Sequence, residues 1–459
     1  MTVPAGGELR RVIGFWGGTA LIVGITIGAG VFRKPYTLAR SLHDPWIIMG
    51  LWAGFGVISV CGALALAELA SMMPRTGGTY VYLRAAYGDS AAFVFGWIYL
   101  LVATPAAVGA LATYFGELLS GILGWNLVHV PLIGGVTIAL LTVANLMGAR
   151  LGSAIQSVFT AIKVGAILML MFVSFFLVDG SLGHLGMRSD GRFELGSLGV
   201  GAASVIWAYD GWVAVSMIAG EVVAPEKLMK RIIVAGMFVI VFLYLGANLA
   251  YFHAMSLSDM AQATDGVPQA IMTKLMGKNG SALIGGFIMC SVFGALNGNI
   301  LAKPRVPFAL AQDGLTFAFL GRAHPRWSTP YSAILIQSAV AILMVILLRH
   351  DPGALFDKLT TYFVVVEWSA LLFTVAAVLV LRWKMPDAER PYKTPAYPWV
   401  PLVFLIGATL GLIAIVWGKW ADHDRSPVYG LLISLAGFPV YWVWRRLKGG
   451  SAPSPAGPA

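Results

Sequence analysis

Apolar runs near twenty residues long recur from one end of this chain to the other. A helix needs about 20 apolar residues to cross the roughly 30 Å hydrocarbon core of a bilayer, and in lipid its backbone groups must be satisfied internally. The chain is 58% hydrophobic and 11% charged, well below the roughly 25% charged residues of soluble domains. The sequence therefore predicts an all-α integral membrane protein with twelve transmembrane helices, at 11–33, 46–72, 89–118, 128–148, 152–178, 196–222, 231–254, 280–312, 330–349, 355–384, 399–419 and 428–446.

The positive-inside rule orients these twelve spans. With the N-terminus in the cytoplasm, most of the 31 Lys and Arg residues fall on the inner side. Both termini are therefore expected in the cytoplasm, as a short N-terminus at 1–10 and a disordered tail at 447–459. Arg33, Lys34 and Arg40 follow the first span on the expected outer side and fit the rule worst. The net charge of +10 reflects this bias, so no nucleic acid partner is expected.

Sequence signatures of metal or cofactor chemistry are missing. Cys61 and Cys290 both fall inside apolar spans, and two lone thiols make neither a disulfide framework nor a metal site. The chain contains no HExxH motif and no P-loop. We therefore expect no catalytic residues, no metal and no cofactor.

Two spans carry glycine interruptions where a helix would loosen. The first reads GITIGAG at Gly24–Gly30, and the sixth reads AYDGW at Ala208–Trp212. Glycine costs about 1 kcal/mol relative to alanine in a helix interior. Close helix packing is the alternative explanation for small residues in a membrane. A pair of interrupted spans in corresponding positions of two halves instead indicates a transporter binding site.

A helix broken inside the membrane offers binding groups from its backbone alone. The second half begins with free N–H groups at the positive end of the helix dipole, which suit a carboxylate. The first half ends with unpaired carbonyl groups, which suit an ammonium. Two such breaks side by side predict a site for a zwitterion, and hence for an amino acid.

Five motifs identify a family resemblance that covers nearly the whole chain. They are GITIGAGVFRKP, MMPRTGGTYVYLRAAYG, AYDGW followed by AGEVVAPEK, FGALNGNILAKPRVPFALAQDGL, and ERPYKTPAYPWVP. In this order they resemble the amino acid–polyamine–organocation (APC) transporters, in particular the L-type amino acid transporters and the bacterial serine/threonine exchangers. The resemblance implies a leucine-transporter-like fold with helices 1 and 6 unwound at mid-membrane. Its expected units are two inverted five-helix repeats at 11–195 and 196–385, followed by helices 11 and 12 at 386–446.

The resemblance also implies the residues that contact the substrate. Gly28, Ala29 and Gly30 match the positions whose N–H groups bind the substrate carboxylate. Trp207 matches an aromatic gate over the substrate; the alternative is that it is a packing or interfacial aromatic residue. The whole implied set comprises Thr26, Ile27, Gly28, Ala29 and Gly30 in helix 1, Trp207, Ala208, Tyr209, Asp210 and Gly211 in helix 6, and Phe293 and Asn297 in helix 8.

Lys163 lies well inside the predicted span 152–178. It lies about 16 Å from the near end of its helix at 1.5 Å per residue, too far for its side chain to reach water easily. An intramembrane lysine is costly and is a functional hypothesis by default. Its ammonium could donate to the carbonyl groups freed by the break in helix 1, where the resemblance implies that sodium-coupled relatives bind a cation. It could also carry a proton, and a wet crevice is the remaining alternative.

Three carboxylates also fall inside spans. Asp210 lies in the predicted break of helix 6, where it could face the pocket or cap the second half of the helix. Glu68 and Glu367 are interpreted as interior carboxylates with hydrogen-bonding partners and receive no role. Lys303 stands where the family usually has a small residue, and the sequence offers no physical account of it.

These observations predict a secondary transporter that works by alternating access. Lys163 favours sodium independence, which leaves exchange or proton symport of small or neutral L-amino acids. A cationic amino acid or polyamine carrier is the alternative that Asp210 motivates. An integral membrane hydrolase is remote, because Tyr209-Asp210 lacks the second aspartate motif that such an enzyme needs.

Location and partners follow from the same features. The expected location is a plasma membrane, the inner membrane of a bacterium, and the expected partners are the amino acid substrate and lipid. The resemblance links a heavy chain to an outer-loop cysteine after helix 3. No cysteine lies near that loop, so no disulfide-linked heavy chain is expected.

Overall fold

The computed structural model describes residues 9–189, 195–347, 352–421 and 423–447. Residues 1–8 of the expected cytoplasmic N-terminus and residues 448–459 of the expected tail lie outside the described residues. Every regular element named within the described ranges is helical. One isolated bridge joins Ile13 to Val222.

The first half of the chain forms eight α-helices. A π-helical turn at Tyr99–Ala103 connects the fifth to the sixth, so that the two form one continuous span. The helices are α1 Phe15–Thr26, α2 Gly30–Leu42, α3 Pro45–Met72, α4 Thr79–Tyr87, α5 Asp89–Ile98, α6 Thr104–Leu123, α7 Val130–Leu146 and α8 Ala149–Phe176.

The second half forms eleven more α-helices within the described ranges. They are α9 Leu195–Tyr209, α10 Ala214–Met217, α11 Pro225–Ala254, α12 Leu257–Gln262, α13 Val267–Ala302, α14 Arg305–Gln312, α15 Tyr331–Leu347, α16 Pro352–Lys384, α17 Trp399–Ala421, α18 Ser426–Leu435 and α19 Gly437–Leu447. Short 3-10 turns lie at Leu127–His129, Leu182–Gly186, Ala219–Glu221 and Ala318–Gly321.

Ten helical segments of the described chain are long and apolar enough to cross a membrane. Two shorter apolar helices, Gly196–Tyr209 and Tyr331–Leu347, fall where the sixth and ninth spans are predicted. The chain is therefore a multi-pass membrane protein whose regular elements are helical throughout the described ranges.

The first span is longer than predicted. It covers Phe15–Leu42 rather than 11–33, so Arg33 and Lys34 lie within it instead of in an outer loop. Lys34 is buried and donates to Asp357 at 2.9 Å. Arg33 pairs with Glu117. These ion pairs explain why positive residues are tolerated on the expected outer side.

The eighth predicted span lies within the candidate span Val267–Gln312, but it contains an interruption that the sequence analysis does not predict. The prediction 280–312 joins two helices that the structure separates, because α13 ends at Ala302 and α14 begins at Arg305. Pro304 stands between them, where it has no N–H to continue the helical hydrogen bonds. Within α13 the backbone is also non-helical at Gly277 (φ 60°, ψ −148°), and the helix that follows this kink begins within a few residues of the predicted start at 280.

The helices form a central group and an outer group. In the most apolar 18-residue stretch of the span Asp89–Leu123, which contains α5 and α6, 78% of the residues are buried, whereas the corresponding share in Trp399–Ala421 is 28%. A span buried on nearly all sides contacts protein rather than lipid, so α6 lies in the middle of the bundle and α17 at its edge. A site between helices 1 and 6 would therefore also be lined by residues of α6.

Glu68 and Arg305 join different helices through buried ion pairs. Glu68 accepts from Arg382 at 2.9 and 2.7 Å and from the N–H of Thr394 at 2.7 Å. Arg305 donates to both oxygens of Glu221, at 2.8 and 3.2 Å, with both side chains 1% exposed. Glu68 thus has the hydrogen-bonding partners expected of an interior carboxylate.

Candidate functional site

Helix 1 of the bundle is interrupted between α1 and α2. After Thr26, Ile27 has a non-helical backbone (φ −79°, ψ 81°), and the Gly28 N–H donates back to Thr26 O at 2.9 Å. The N–H groups of Ala29, Gly30 and Val31 have no acceptor among the residues that the structure describes. Because these groups begin α2, a helix of 13 residues, they lie at the positive end of its dipole.

The break in helix 6 lies against the break in helix 1. Here α9 ends at Tyr209 and α10 begins at Ala214, with Gly211 at φ 123°. A Cβ on Gly30 would lie 2.5 Å from the Cβ of Ala208. A Cβ on Gly211 would lie 2.8 Å from the Thr26 hydroxyl. Glycine is required at both positions because the two backbones approach closely, and because φ is positive at Gly211.

Lys163 donates to three carbonyl groups around the first break. Its Nζ lies 2.7 Å from Gly24 O, 2.7 Å from Ile27 O and 2.8 Å from Ser291 O. An ammonium carries three donors, so these bonds satisfy it fully, and its side chain is 0% exposed. The Ser291 hydroxyl also donates to Ile27 O, at 3.1 Å. The break is therefore held by a positive charge from α8 and a hydroxyl from α13.

Tyr244 connects the two breaks from α11. Its hydroxyl lies 2.8 Å from Thr26 O and 2.9 Å from Ala208 O. One hydroxyl carries one proton, so it donates to either carbonyl in turn. Its ring packs edge-on against Trp52 and Tyr209, with centroids 5.3 and 5.1 Å away. Nothing in the sequence pattern singles out this tyrosine, because its partners are backbone atoms of distant segments.

A small cavity of about 20 Å³ lies between the broken helices. This volume holds about one water and is too small for an amino acid, so substrate binding requires the surrounding side chains to move. The lining residues come from the two breaks and from α6, α13 and α16: Ile25, Thr26, Gly28, Ala29, Gly30, Ala107, Leu111, Trp207, Asp210, Asn299 and Phe363.

About half of the implied contact residues line this cavity. The structure brings together Thr26, Gly28, Ala29, Gly30, Trp207 and Asp210. It leaves Ile27, Ala208, Tyr209, Gly211, Phe293 and Asn297 off the cavity wall. Of these, Ala208 and Gly211 form the contact between the two breaks, and Ile27 presents its carbonyl to Lys163.

The two implied positions on α13 face away from the cavity. Asn297 donates to Gly152 O and to Gln156, each at 3.1 Å, and accepts from Asn145 at 2.9 Å. Phe293 packs against other rings, between α6 and α8. Asn299 lines the cavity instead, since two positions along a helix rotate a side chain by about 200°.

Sequence reasoning missed five of the lining residues: Ile25, Ala107, Leu111, Asn299 and Phe363. Those on α6 carry one available signal. The span that contains α6 is rich in small residues, as TPAAVGALA shows, and small residues indicate close helix contacts in membranes. Phe363 carries no such signal, because its position depends on how α16 packs.

Trp207 and Asp210 lie on the helix 6 side of the cavity. The Trp207 ring packs edge-on against Phe356 and Phe363, with centroids 5.9 and 5.2 Å away. The capping role considered for Asp210 is wrong, because the residue before α10 is Val213 and no side chain caps that helix. Asp210 instead lines the cavity, and its buried Oδ1 has no hydrogen-bond partner among the described residues.

Ion pairs close the protein on either side of the cavity. Toward the expected outer side, the Lys34–Asp357 and Arg33–Glu117 pairs tie α2 to α16 and α6. The Arg33 guanidinium also lies 4.3 Å from the centre of the Phe356 ring. On the opposite side Arg305 and Glu221 join α14 to the turn after α10. The small cavity and these contacts describe a closed site.

Comparison with known proteins gives one family. The family model described as amino acid permease matches residues 13–454. The chain is 30% identical to the serine/threonine exchanger SteT of Bacillus subtilis (strain 168), over 96% of this chain and 98% of that protein.

Mammalian transporters are similar over almost the same length. The b(0,+)-type amino acid transporter 1 of Mus musculus is 27% identical, over 97% of this chain and 90% of that protein. The large neutral amino acids transporter small subunit 2 of Mus musculus is 28% identical, over 95% of this chain and 82% of that protein. These relatives are transporters, so the remote hydrolase interpretation is wrong. With its family match running from residue 13 to residue 454, the chain belongs to the amino acid permease family and is a membrane transporter, not an enzyme.

Proposed function

We propose that this permease is a sodium-independent transporter of small or neutral L-amino acids that works by exchange or proton symport. The substrate carboxylate would bind the free N–H groups of Ala29, Gly30 and Val31 at the start of α2. The substrate ammonium would bind Ile25 O, which has no donor among the described residues and belongs to a residue that lines the cavity. Trp207 would gate the cavity, and the helices would close around the substrate by alternating access.

The Lys163 ammonium is the observation that carries sodium independence. Carbonyl groups freed by an unwound helix coordinate sodium or a proton in transporters of this kind. Here the carbonyl oxygens of Gly24, Ile27 and Ser291 already accept from Lys163. A second cation at the same oxygens would lie against this positive charge in a low dielectric. Lys163 thus serves as a built-in substitute for a coupling cation, or as the group that carries a coupling proton.

The membrane arrangement is part of the proposal. Twelve helices would span the bilayer, counting the two short apolar helices Gly196–Tyr209 and Tyr331–Leu347 with the ten longer segments. Residues 11–195 and 196–385 would form inverted repeats, each opening with a helix broken at mid-membrane, and 386–446 would supply the last two spans. The bias of Lys and Arg supports cytoplasmic termini, and the likeness to a Bacillus subtilis exchanger supports a bacterial inner membrane.

Substrate class and partners come from the relatives and the cavity lining. Relatives are named for serine and threonine and for large neutral amino acids. The cavity lining is largely backbone, small and apolar side chains, which suits neutral substrates. No cysteine lies in the segment after α6, so the proposal includes no disulfide-linked heavy chain.

Asp210 favours a second candidate, a carrier of cationic amino acids or polyamines. Asp210 lines the cavity, and its Oδ1 lacks a hydrogen-bond partner among the described residues. A substrate ammonium or guanidinium could pair with it. Failure of lysine, arginine and putrescine to compete with a neutral substrate would remove this candidate.

The test is uptake by proteoliposomes loaded with a mixture of neutral and cationic amino acids. Wild type and Lys163→Ala are compared with and without an inward proton gradient, and with sodium replaced by choline. Uptake that requires internal amino acid and does not depend on the proton gradient or on sodium would support exchange. Uptake accelerated by the proton gradient in wild type but not in Lys163→Ala would support symport. Uptake driven by a sodium gradient, or no uptake of any amino acid, would refute the proposal.

A further inference from the structure

A buried lysine lies directly behind the cavity wall. Lys303 follows the last residue of α13 and its side chain is 1% exposed. Its Nζ lies 4.4 Å from the centre of the Phe363 ring and 5.7 Å from that of Tyr99. Phe363 itself lines the cavity. A single aromatic ring therefore separates this ammonium from the space where the substrate would bind.

Two carboxylates share this part of the protein. Asp210 lines the cavity, and Glu367 lies one helical turn beyond Phe363 on α16, with 0% exposure. The Tyr99 hydroxyl donates to Glu367 Oε1. Lys303 and Glu367 therefore both contact Tyr99, one at its ring and one at its hydroxyl. We call Asp210, Lys303 and Glu367 the floor cluster, because Asp210 lines the cavity with Phe363, and Lys303 and Glu367 lie behind that wall beside Phe363 and Tyr99.

The charges of the floor cluster are not locked in a direct ion pair. Lys303 Nζ, Glu367 Oε2 and Asp210 Oδ1 are buried and have no hydrogen-bond partner among the residues that the structure describes. Arg305, two residues after Lys303, shows the contrast, with two direct bonds to Glu221 at 2.8 and 3.2 Å. Buried charges are normally paired. The floor cluster thus places ionisable groups without direct hydrogen-bond partners beside the cavity and does not form a structural clamp.

We propose that Lys303 sets the charge selectivity of this transporter by offsetting the carboxylates of Asp210 and Glu367. This inference rests on the proposed function and extends it to one residue. Without Lys303, Asp210 on the cavity wall and Glu367 buried behind it would favour a cationic side chain. With Lys303, such a side chain would approach a like charge in a low dielectric, where repulsion is strong. Lys303 therefore excludes cationic amino acids and leaves neutral ones as substrates.

The direct test replaces Lys303 by methionine, which keeps an unbranched chain without the charge. Arginine and serine are competed against a labelled neutral amino acid in proteoliposomes, and the ratio of their half-inhibitory concentrations is measured. We expect Lys303→Met to shift this ratio toward arginine by about tenfold or more, equivalent to about 1.4 kcal/mol. The matched variant Lys303→Arg retains the charge and is expected to keep the wild-type ratio.

Two further variants separate selectivity from misfolding. Adding Asp210→Asn to Lys303→Met removes one carboxylate and is expected to reverse the shift. Glu367→Gln alone makes the floor cluster more positive and is expected to move the ratio away from arginine. A ratio that stays at the wild-type value in both Lys303→Met and Glu367→Gln would overturn the proposal.

The same ligands also distinguish this proposal from the proposed function. Thermal shifts of the purified full-length chain in detergent measure arginine and serine binding without any need for transport. No amino acid uptake by the wild type would refute the proposed function. If the ratio of the thermal shift with arginine to that with serine is the same in Lys303→Met as in the wild type, the role of Lys303 is refuted, whatever the uptake result.

Discussion

Replacing Lys163 by methionine removes the ammonium and keeps an unbranched side chain of similar length. The carbonyl oxygens of Gly24, Ile27 and Ser291 then each lose a donor. Ile27 O still accepts from the Ser291 hydroxyl at 3.1 Å, and Ser291 O lies within α13, where the helix supplies its own donor. Gly24 O has no such alternative, because the N–H of Gly28 donates to Thr26 O instead.

The substitution therefore leaves one buried carbonyl without a donor at the break. A buried unsatisfied group costs about 1–3 kcal/mol, and a free energy of that size shifts an equilibrium by about 5–150-fold. Overall stability changes less, because removing a buried ammonium also removes the cost of desolvating it. We expect Lys163→Met to lose one to two orders of magnitude in transport rate and to melt near the wild-type temperature.

Initial rates of amino acid counterflow in proteoliposomes, normalised to reconstituted protein, measure the loss. Thermal unfolding in detergent measures stability. Lys227→Met is the matched control, because Lys227 is an exposed lysine near the start of α11, and it should leave both values unchanged. A Lys163→Met rate indistinguishable from wild type would refute the role assigned to this lysine.

Three other substitutions test the surrounding contacts. Gly30→Ala places a Cβ 2.5 Å from the Cβ of Ala208. We expect this overpacking to destabilise the protein by about 1–3 kcal/mol and to cause a large loss of counterflow. A wild-type counterflow rate would contradict the close contact of the two breaks. Glu221→Gln leaves the buried Arg305 without its counter-charge, which is expected to cost about 3–5 kcal/mol in thermal or denaturant unfolding; unchanged unfolding would show that the pair is dispensable. Tyr244→Phe removes the hydroxyl donor shared by Thr26 O and Ala208 O. If this raises the transport barrier by about 1.4 kcal/mol, the counterflow rate should fall about tenfold. Competition by unlabelled substrate checks that the binding site persists in this variant.

Membrane crossing and the two breaks could be predicted from the sequence because their causes are local. Apolar length decides whether a segment crosses lipid, and clustered glycines loosen the helix that contains them. Helices end at Thr26 and at Tyr209, inside the two motifs that the sequence singled out. Lys163 was equally visible, since a lysine deep in an apolar run needs carbonyl partners wherever the helices lie. Span ends were less predictable, as Arg33 and Lys34 show.

The identity of the cavity wall depended on tertiary packing. Asn297 and Asn299 lie two residues apart on α13, and only the rotation of that helix decides that Asn299 lines the cavity. Phe363 reaches it because α16 packs beside α6, and the sequence carries no signal of that contact. Membrane crossing, helix breaks and the needs of a buried charge depend on the residues within one segment. The sequence by itself therefore determined that helices cross the membrane, where two of them break and which buried charge needs partners. Which side chains meet at the cavity, and which carboxylates face Lys303, are properties of several segments at once, and only the tertiary structure decided them.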